Sequence, residues 1–384
     1  MNLGRIAAVA EKEWLEIVRD RVFFGLVFIV PVVMMVLLGY GLSLDVEKIP
    51  LTIVDYDKTA ASRDYAYRFI GSRYFRFLGY TARERDLDRL LEDNIVRAAI
   101  IIPPDFEKNT LAGRATPVQT LLDGTFPFRA QTTKGYIIAI NSAASMENLG
   151  RLVAIKKGIT AERAQALLRP VALETRYLYN QSIVSIWSLA PKLIMLVLIA
   201  SSPFFTALGV VREKETGSIY NIYVSTVSRA EFLIGKLLPY IAVSTANALI
   251  LFFIATVIFG APFKGNFVVF LLSTLVYVVC TTGMGLLASV FVKTQTAAML
   301  VTAVTSLVPS VLYSGVLIPL PSLTESARVF AHFLPAMYYT NIVTACFMKG
   351  VGFAYFWKDV AILAMYAAIL MGLGYLFFHK RTQS

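Results

Sequence analysis

A short polar island, 211-VREKETGSIYNIYVSTVSRAEFLIGKLLPY-240, lies between two long apolar runs. Leu193–Val211 precedes it and Phe232–Phe259 follows it. Within the island, Ser218–Val227 carries apolar side chains at roughly helical spacing. A much shorter turn would suffice to reverse the chain between two helices. The pattern therefore predicts a surface helix held against a membrane face.

Two interpretations of this island remain open from the pattern alone: a positively charged turn that only fixes topology, or a helix that binds a partner. R-E-K-E-x-G at Arg212–Gly217 and T-V-S-R-x-E-F-L-x-G-K-L-L-P-Y at Thr226–Tyr240 resemble the cytoplasmic coupling loop of type-2 ABC transporter permeases, the membrane subunits of ATP-driven exporters. In that family the loop docks into a groove on the ATP-binding subunit. The resemblance therefore implies an ATPase-docking surface within the loop 212–231, made by Arg212, Glu213, Glu215, Gly217, Ser218, Thr226, Ser228, Arg229 and Glu231.

The composition predicts an integral membrane protein. Of 384 residues, 57% are hydrophobic and only 16% are charged, too few to cover a soluble surface of this size. The net charge of +11 comes from dispersed residues, so topology explains it better than nucleic-acid binding does. Cys280 and Cys346 are expected to be free thiols, and the two histidines, His332 and His379, are too far apart to predict a metal site.

Residues 1–21 combine mixed charges with an apolar stripe at helical period, formed by Ile6, Val9, Ala10, Trp14, Ile17 and Val18. This predicts an interfacial helix, with Trp14 at headgroup depth. An ordinary juxtamembrane cap fits equally well. The stretch also resembles the elbow helix that frames the docking surface in type-2 permeases, with Glu11, Trp14 and Arg19 as its candidate residues. Residues 22–44 then form a first span, uncharged over about 20 residues and thus long enough to cross the hydrocarbon core.

Residues 45–185 differ in composition, because acidic and basic residues are mixed throughout this segment, which is long enough to form a domain. Strands are predicted at Ile49–Val54, Ala98–Ile102 and Val118–Leu122, alternating with helices, which indicates an α/β domain. The predicted helices are Thr59–Ile70, Glu84–Asp93, Asp105–Ala112, Gln131–Lys157 and Thr160–Leu168. The segment resembles the external domain of several exporter permeases, which share V-D-x-D at Val54–Asp57 and I-P-x-D-F at Ile102–Phe106. Asp55 and Asp57 could bind a cation, but carboxylates at a strand end more often cap a turn.

The remainder, 186–384, is a transmembrane domain with five further predicted spans: Trp187–Val211, Phe232–Phe259, Phe267–Val292, Thr296–Leu320 and Val360–Phe378. With a cytoplasmic N-terminus, eleven basic residues fall on inside segments and four on short outside loops, as the positive-inside rule expects. The predicted fold is thus an α-helical integral membrane protein with six transmembrane helices. Both termini are cytoplasmic, and the α/β domain between spans one and two is extracytoplasmic.

Three local features of residues 186–384 lead to further predictions. Gly283, Gly285, Ala288 and Ser289 are small residues that allow helices to approach closely. Within 321–357 two short helical segments, Leu323–Phe333 and Met337–Met348, are predicted to be outer re-entrant or interfacial helices, and L-P-x-x-Y at Leu334–Tyr338 resembles the family's signature there. Lys192 suits a snorkelling position at the membrane edge, with a buried functional lysine as the alternative.

No P-loop, zinc-protease or nucleophile-elbow motif occurs in the sequence, so an enzyme has no motif to support it. The resemblance implies a permease subunit that binds no cofactor itself and draws on ATP through a separate ATP-binding subunit. It further implies a second permease copy or sister permease, surrounding lipid in a bacterial cytoplasmic (inner) membrane, and no nucleic acid. A periplasmic adaptor is one further partner that the external domain could bind.

The substrate path is predicted less sharply, from polar side chains inside the spans: Ser201, Ser202, Thr206, Ser244, Thr245, Asn247, Thr302, Thr305, Ser306 and Tyr313. Hydrogen bonding between helices is an equally good explanation of these residues. A mostly apolar lining would favour lipids, drug-like compounds or other amphiphiles. The rival function is a membrane-anchored sensor or scaffold whose external domain binds a ligand or envelope partner, but it leaves the patterned loop and five spans without a role.

Overall fold

The computed structural model describes residues 2–42, 46–168, 176, 178–217 and 226–378. The chain divides into two compact units, one drawn from 1–44 with 177–384 and the other from 45–176. The first is helical, and the second contains the four β-strands found among the described residues.

Six helices of the first unit are long and apolar enough to cross a membrane, which confirms the predicted number of spans. We number them spans 1–6: Arg21–Gly41, Ser185–Glu215, Arg229–Ile258, Phe267–Phe291, Gln295–Tyr313 and Phe353–Phe377. The predicted boundaries were wrong in three places, since span 2 continues to Glu215, span 5 stops at Tyr313 and span 6 starts at Phe353. Span 2 continues because Arg212–Glu215 are good helix formers, and it ends where Gly217 adopts a left-handed φ of 74°.

Span 2 is the centre of this unit. Its most apolar window is 89% buried inside the protein, against 28% for span 1, 22% for span 5 and 17% for span 6. Spans 1, 3, 4 and 5 pack against span 2, whereas span 6 packs mainly against span 4 and the helix Pro335–Thr344, and broad apolar faces of the outer spans stay uncovered. Short π-helical turns interrupt span 3 at Ile254–Ile258 and span 5 at Ala303–Leu307.

Among the described residues, five further helical segments complete the unit: Leu3–Arg19 at the N-terminus, the short 3₁₀ turn Leu320–Ser322, Glu325–Ala331, Pro335–Thr344 and its π-helical continuation Ala345–Lys349. Pro335–Thr344 is largely buried, with Tyr339 stacked on Tyr277 of span 4 at a ring separation of 4.0 Å. The hydroxyl of Tyr339 also lies 2.8 Å from that of Thr274. This helix therefore belongs to the core of the helical bundle rather than to an exposed surface, as a non-spanning helix at membrane depth requires.

The second unit is a small sheet packed with helices. Strands β1 (Ile49–Asp55), β2 (Phe75–Tyr80), β3 (Ala98–Ile102) and β4 (Gln119–Leu122) form a sheet in the order β2-β1-β3-β4. β1 runs parallel to β2 and β3, and β4 is antiparallel to β3. Its helices are Ala60–Ile70, Arg85–Glu92, Phe106–Leu111, Pro127–Lys157 and Ala161–Leu168. β2 was not predicted, because Arg76 and Gly79 break the apolar pattern on this edge strand.

The two aspartates at the end of β1 act as caps. Asp55 accepts the backbone N–H groups of Asp57 and Lys58 and the hydroxyl of Ser62. Asp57 accepts the backbone N–H groups of Phe106 and Glu107, each at 3.0 Å. Burial opposes the charge of Asp57, but these hydrogen bonds, with that of Thr59, outweigh it and lower its pKa. The carboxylates therefore fix the strand-to-helix turns.

Close packing of spans 2 and 4 depends on a glycine, as the small residues of span 4 predicted. A Cβ on Gly285 would lie 2.2 Å from the carbonyl oxygen of Pro203, so the two backbones touch at this point.

We predict that Gly285→Ala forces spans 2 and 4 apart and destabilises the protein by about 1–3 kcal/mol. Thermal unfolding of the purified protein in detergent measures this. Gly372→Ala in span 6 is the matched control, because a Cβ there meets no atom within 4 Å. Equal melting temperatures for the two variants would contradict the assigned contact.

Candidate functional site

The N-terminal helix Leu3–Arg19 packs along the start of span 3 through one narrow face. Ile6, Glu13 and Ile17 are its buried residues. Trp14 and Val18 of the apolar stripe are each 45% exposed within the protein, and the position of Trp14 at headgroup depth stays a prediction. The contact is close because span 3 carries Gly235, where a Cβ would lie 2.7 Å from the carbonyl oxygen of Ile6.

A buried group of charges, which we call the ion cluster, joins this helix to spans 2 and 3. Its members are Lys12, Glu13, Glu213, Lys236 and Tyr240. The Lys236 ammonium is fully buried and donates to both carboxylate oxygens of Glu13, at 2.9 and 2.8 Å. It also lies 3.2 Å from Glu213 Oε2, and the Tyr240 hydroxyl donates to Glu13 Oε1 at 2.6 Å. One lysine of span 3 thereby holds carboxylates from two other helices.

Lys12 completes the cluster on its outer side. Its Nζ donates to Glu213 Oε1 at 2.6 Å and lies 3.2 Å from Glu16. Burial works against the charge of Lys12, but the hydrogen bond to Glu213 outweighs it and raises the Lys12 pKa. Because the Lys12 side chain is 48% exposed, water screens its pair with Glu213, and this pair contributes less to stability than the buried contacts of Lys236.

A second set of contacts fixes the chain just before span 3. Ser228 and Glu231 form a capping box, in which the backbone N–H of Ser228 donates to Glu231 Oε2 at 2.9 Å and the Ser228 hydroxyl accepts from Glu231 N–H. The other oxygen of Glu231 accepts the backbone N–H of Asn2 at 2.7 Å. Arg5 donates to the carbonyl of Thr226 at 2.8 Å. The start of the N-terminal helix is therefore tied to the loop's C-terminal end.

The loop's N-terminal end is fixed by the last turn of span 2. Arg212 pairs with Asp20 at 2.9 Å, at the junction of the N-terminal helix and span 1. Gln295, at the start of span 5, donates to Glu215 at 2.6 Å. Lys214 donates to the carbonyl of Ser289 at 2.5 Å, at the end of span 4. The two flanks of the loop thus contact the N-terminal helix and spans 1, 4 and 5.

The structure separates the predicted docking residues into two groups. The side chains of Arg212, Glu215, Thr226, Ser228 and Arg229 lie in exposed positions, and Gly217 is partly exposed. Glu213 and Glu231 are each only 4% exposed and bind inward, so they position the loop rather than present themselves to a partner. Ser218 lies outside the described residues. On the N-terminal helix, Glu11, Trp14 and Arg19 are exposed.

Most polar residues nominated for a substrate path have structural hydrogen bonds. Ser201, Thr206, Thr245, Thr302, Thr305 and Ser306 each donate to the carbonyl four residues earlier. Ser202 bonds to Thr281 and Thr282 of span 4, and Asn247 donates to the carbonyl of Val27 in span 1. Ser244 is buried, and Tyr313 packs edge-on against Phe330. These contacts agree with the alternative of helix packing and leave the predicted path a hypothesis.

Three carboxylates of this region, Glu13, Glu16 and Glu213, approach one another closely enough to suggest a metal site, with ligand oxygens within 4.8 Å. The ammonium groups of Lys236 and Lys12 already lie among these oxygens. The cluster therefore has its own cations, and its chemistry is that of an ion-pair network.

Sequence reasoning missed the roles of Glu13, Lys236 and Tyr240, although a signal was present. Glu13 continues the helical spacing of Ile6, Ala10 and Ile17, so it shares their buried face. A carboxylate on a buried face requires a cation within reach. Lys236, seven residues into the apolar segment that begins at Arg229, was the candidate cation.

Comparison with known proteins identifies the family to which the chain belongs. Residues 21–376 match the family model of ABC-2 family transporter proteins. The chain is 25% identical over 377 residues to the probable multidrug ABC transporter permease YbhS of Escherichia coli K12, covering 98% of this chain and 97% of the relative. It is 22% identical over 380 residues to the probable multidrug ABC transporter permease YbhR of the same organism, covering 98% and 99%.

A third relative is the inner membrane transport permease YhhJ of E. coli K12, 23% identical over 332 residues, or 86% of this chain and 85% of the relative. The resemblance to type-2 ABC permeases is thus confirmed along nearly the whole chain, including the six apolar helices. The protein belongs to the ABC-2 family of transporter proteins and is a multi-pass membrane permease.

Proposed function

We propose that this chain is the permease subunit of an ATP-driven exporter and is moved by a separate ATP-binding subunit that docks on the loop 212–231. The observation that carries the proposal is the anchorage of both flanks of this loop. Glu213 enters the ion cluster on one side, and Glu231 binds the N-terminal helix on the other. A force applied to the loop would therefore act on the N-terminal helix and on spans 2 and 3 together.

The exposed residues at the flanks define the proposed docking surface. Arg229 and Thr226 precede span 3, and Arg212 and Glu215 end span 2. Docking does work on the spans only if the ATP-binding subunit contacts the loop differently in its two nucleotide states. Glu11, Trp14 and Arg19 extend this surface along the N-terminal helix.

The proposed substrate is a hydrophobic or amphiphilic compound, a drug-like molecule or a lipid. Two relatives are named as probable multidrug permeases, which supports this class. The uncovered faces of spans 1, 5 and 6 fit lipid and a second permease copy or sister permease. In keeping with the absence of a P-loop, ATP would be bound by the partner subunit.

We further propose that the sheet-containing unit is an extracytoplasmic domain, with both termini in the cytoplasm and the protein in a bacterial inner membrane. The excess of basic residues on the segments next to the loop supports this orientation. A periplasmic adaptor is a candidate partner for this domain. A sensor or scaffold remains the alternative function, but it gives no reason for anchoring a cytoplasmic loop to the N-terminal helix and spans 2 and 3.

Arg229→Glu is expected to weaken co-purification of the ATP-binding subunit by at least about ten-fold. Arginine is frequent among the few interface residues that contribute most of the binding free energy. Arg229 is exposed, so the permease itself should fold and insert normally. Lys293→Glu, the same charge change at the exposed turn between spans 4 and 5, is the control. Undiminished co-purification with Arg229→Glu would remove this residue from the docking surface.

Topology is tested with single cysteines and a membrane-impermeant maleimide on intact spheroplasts. Ala115→Cys, exposed in the sheet-containing unit, should be labelled from outside, and Lys293→Cys should be labelled only after lysis. The natural Cys280 and Cys346 are buried and give little background. Labelling in the reverse order would contradict the proposed orientation.

A further inference from the structure

A cleft of about 530 Å³ opens at one edge of the sheet, within the sheet-containing unit. It lies where the parallel strands β1 and β2 end. Sheets of parallel strands bind ligands at this edge, outside the carboxyl ends of the strands. The volume is within the range of sites that bind small molecules. The lining comes from the end of β1 and its following loop, from the end of β2 and its following loop, and from one helix, chiefly through Asp55, Tyr56, Lys58, Tyr80, Thr81 and Arg63.

Two basic side chains of the cleft have no acidic partner. Lys58 lies in the loop after β1, and Arg63 lies in the first turn of the helix Ala60–Ile70. Neither forms an ion pair within the described part of the chain. The guanidinium of Arg63 donates to the carbonyl oxygen of Lys58 at 3.2 Å, which brings the two residues together. The basic residues of this unit that do form ion pairs are Arg68, Arg89, Arg97, Lys108 and Arg151.

The carboxylate of the lining, Asp55, is engaged by its own turn. Its Oδ1 accepts the backbone N–H groups of Asp57 and Lys58, both at 3.0 Å, and its Oδ2 accepts the Ser62 hydroxyl at 2.7 Å. The lining therefore carries two cations and one carboxylate, a net charge of +1. The helix Ala60–Ile70 begins beside Lys58, and the positive end of its dipole adds to the attraction for a negative group. The cleft thus favours an anion over a cation of equal shape.

Two tyrosine rings offer a surface for a ring-shaped ligand. Tyr56 is 43% exposed and Tyr80 is 53% exposed, so both rings keep aromatic surface open. The Tyr80 ring packs edge-on against Phe77, with ring centroids 5.1 Å apart. Burial and, secondarily, the charge of Asp55 raise the pKa of Tyr80, so its hydroxyl stays protonated and able to donate a hydrogen bond. Contacts between aromatic rings contribute beyond the area they bury, which favours a ligand with a ring of its own.

We propose that this cleft binds a phosphorylated ring, with the phosphate beside Lys58 and Arg63 and the ring against Tyr56 and Tyr80. A guanidinium matches two oxygens of a phosphate, and an ammonium adds a second charge without a fixed geometry. The two negative charges of a phosphate monoester suit the two unpaired cations. The inference goes beyond the proposed function, because it gives the sheet-containing unit a ligand site that does not depend on docking at the loop 212–231.

The test uses three probes in isothermal titration of the purified full-length permease in detergent. Phenyl phosphate has both parts of the ligand, methyl phosphate lacks the ring, and phenyltrimethylammonium has the ring with the opposite charge. We expect saturable binding of phenyl phosphate and binding of each of the other two weaker by at least about five-fold.

Lys58→Gln and Arg63→Gln should each weaken phenyl phosphate binding about five-fold, the loss expected for one exposed charged contact. Tyr80→Leu should reduce the preference for phenyl phosphate over methyl phosphate. Lys134→Gln, at an exposed cation of the helix Pro127–Lys157 outside the lining, is the matched control and should leave binding unchanged. Lys58 and Arg63 are both exposed, so these variants should fold, and Lys58→Gln alone decides if Arg63→Gln does not.

Two further titrations separate the sources of the ligand, because a phosphorylated ring occurs both in soluble compounds and in lipid head groups. Phenyl phosphate is titrated against the permease in phosphatidylcholine nanodiscs with and without phosphatidylinositol phosphate, whose head group is a phosphorylated ring. Competition by this lipid would assign the site to head groups. Equal affinity in the two kinds of nanodisc would assign it to a soluble compound.

The proposal is overturned if phenyl phosphate does not bind saturably, or if either of the other two probes binds as tightly. Unchanged phenyl phosphate binding by Lys58→Gln would likewise overturn it. The measurement needs no ATP-binding subunit, so a failure would refute the ligand site and leave the proposed docking untouched.

Discussion

The structure depends on a single buried ammonium group. Lys236 belongs to span 3, and its ammonium group binds the carboxylates of Glu13 in the N-terminal helix and Glu213 in span 2. A lone charge at such a site would be prohibitively costly, and three elements must therefore assemble together to make it tolerable. Close approach at Gly235 and the hydroxyl of Tyr240 complete the arrangement. The ion cluster thus explains why the N-terminal helix stays against span 3.

Because the ion cluster holds the N-terminal helix against span 3, the loop 212–231 can pass a force to several helices at once. A loop attached only to its own two helices would bend when pushed. Here its flanks also contact the N-terminal helix and spans 1, 4 and 5, through Asn2, Asp20, Ser289 and Gln295. Arg212 and Glu215 are exposed and also contact Asp20 and Gln295, while Glu213 and Glu231 bind inward, so the proposed docking residues and the anchoring contacts lie on the same turns.

The sequence was sufficient for much of the fold because the strongest signals are local. Long apolar runs located six spans, and three of four strands followed from apolar runs bounded by turn residues. β2 escaped detection because an edge strand with Arg76 and Gly79 lacks a clear alternation. The end of span 2 was misplaced because the helix continues through Arg212–Glu215, which are good helix formers. The start of span 6 was misplaced because Lys358 and Asp359 interrupt the apolar run, whereas the helix already begins at Phe353.

The site was less predictable, because its contacts join residues more than two hundred positions apart. Glu213 and Glu231 were assigned to a docking surface by resemblance, whereas the fold directs both side chains inward. The sequence marks Glu13 and Lys236 as charges that each need a partner, but which charges pair is decided only when the N-terminal helix folds onto span 3.

If Lys236 and Glu13 stabilise the protein as a pair, the effects of removing them are not additive, and a double-mutant cycle measures that coupling. Lys236→Met and Glu13→Gln, singly and together, would be compared in detergent-titration unfolding followed through Trp14, with Trp187 and Trp357 replaced by phenylalanine. We expect Lys236→Met to lower the free energy of unfolding by about 3–5 kcal/mol alone, and by at least about 1 kcal/mol less when residue 13 is already glutamine. An equal cost of Lys236→Met in both backgrounds would contradict this coupling.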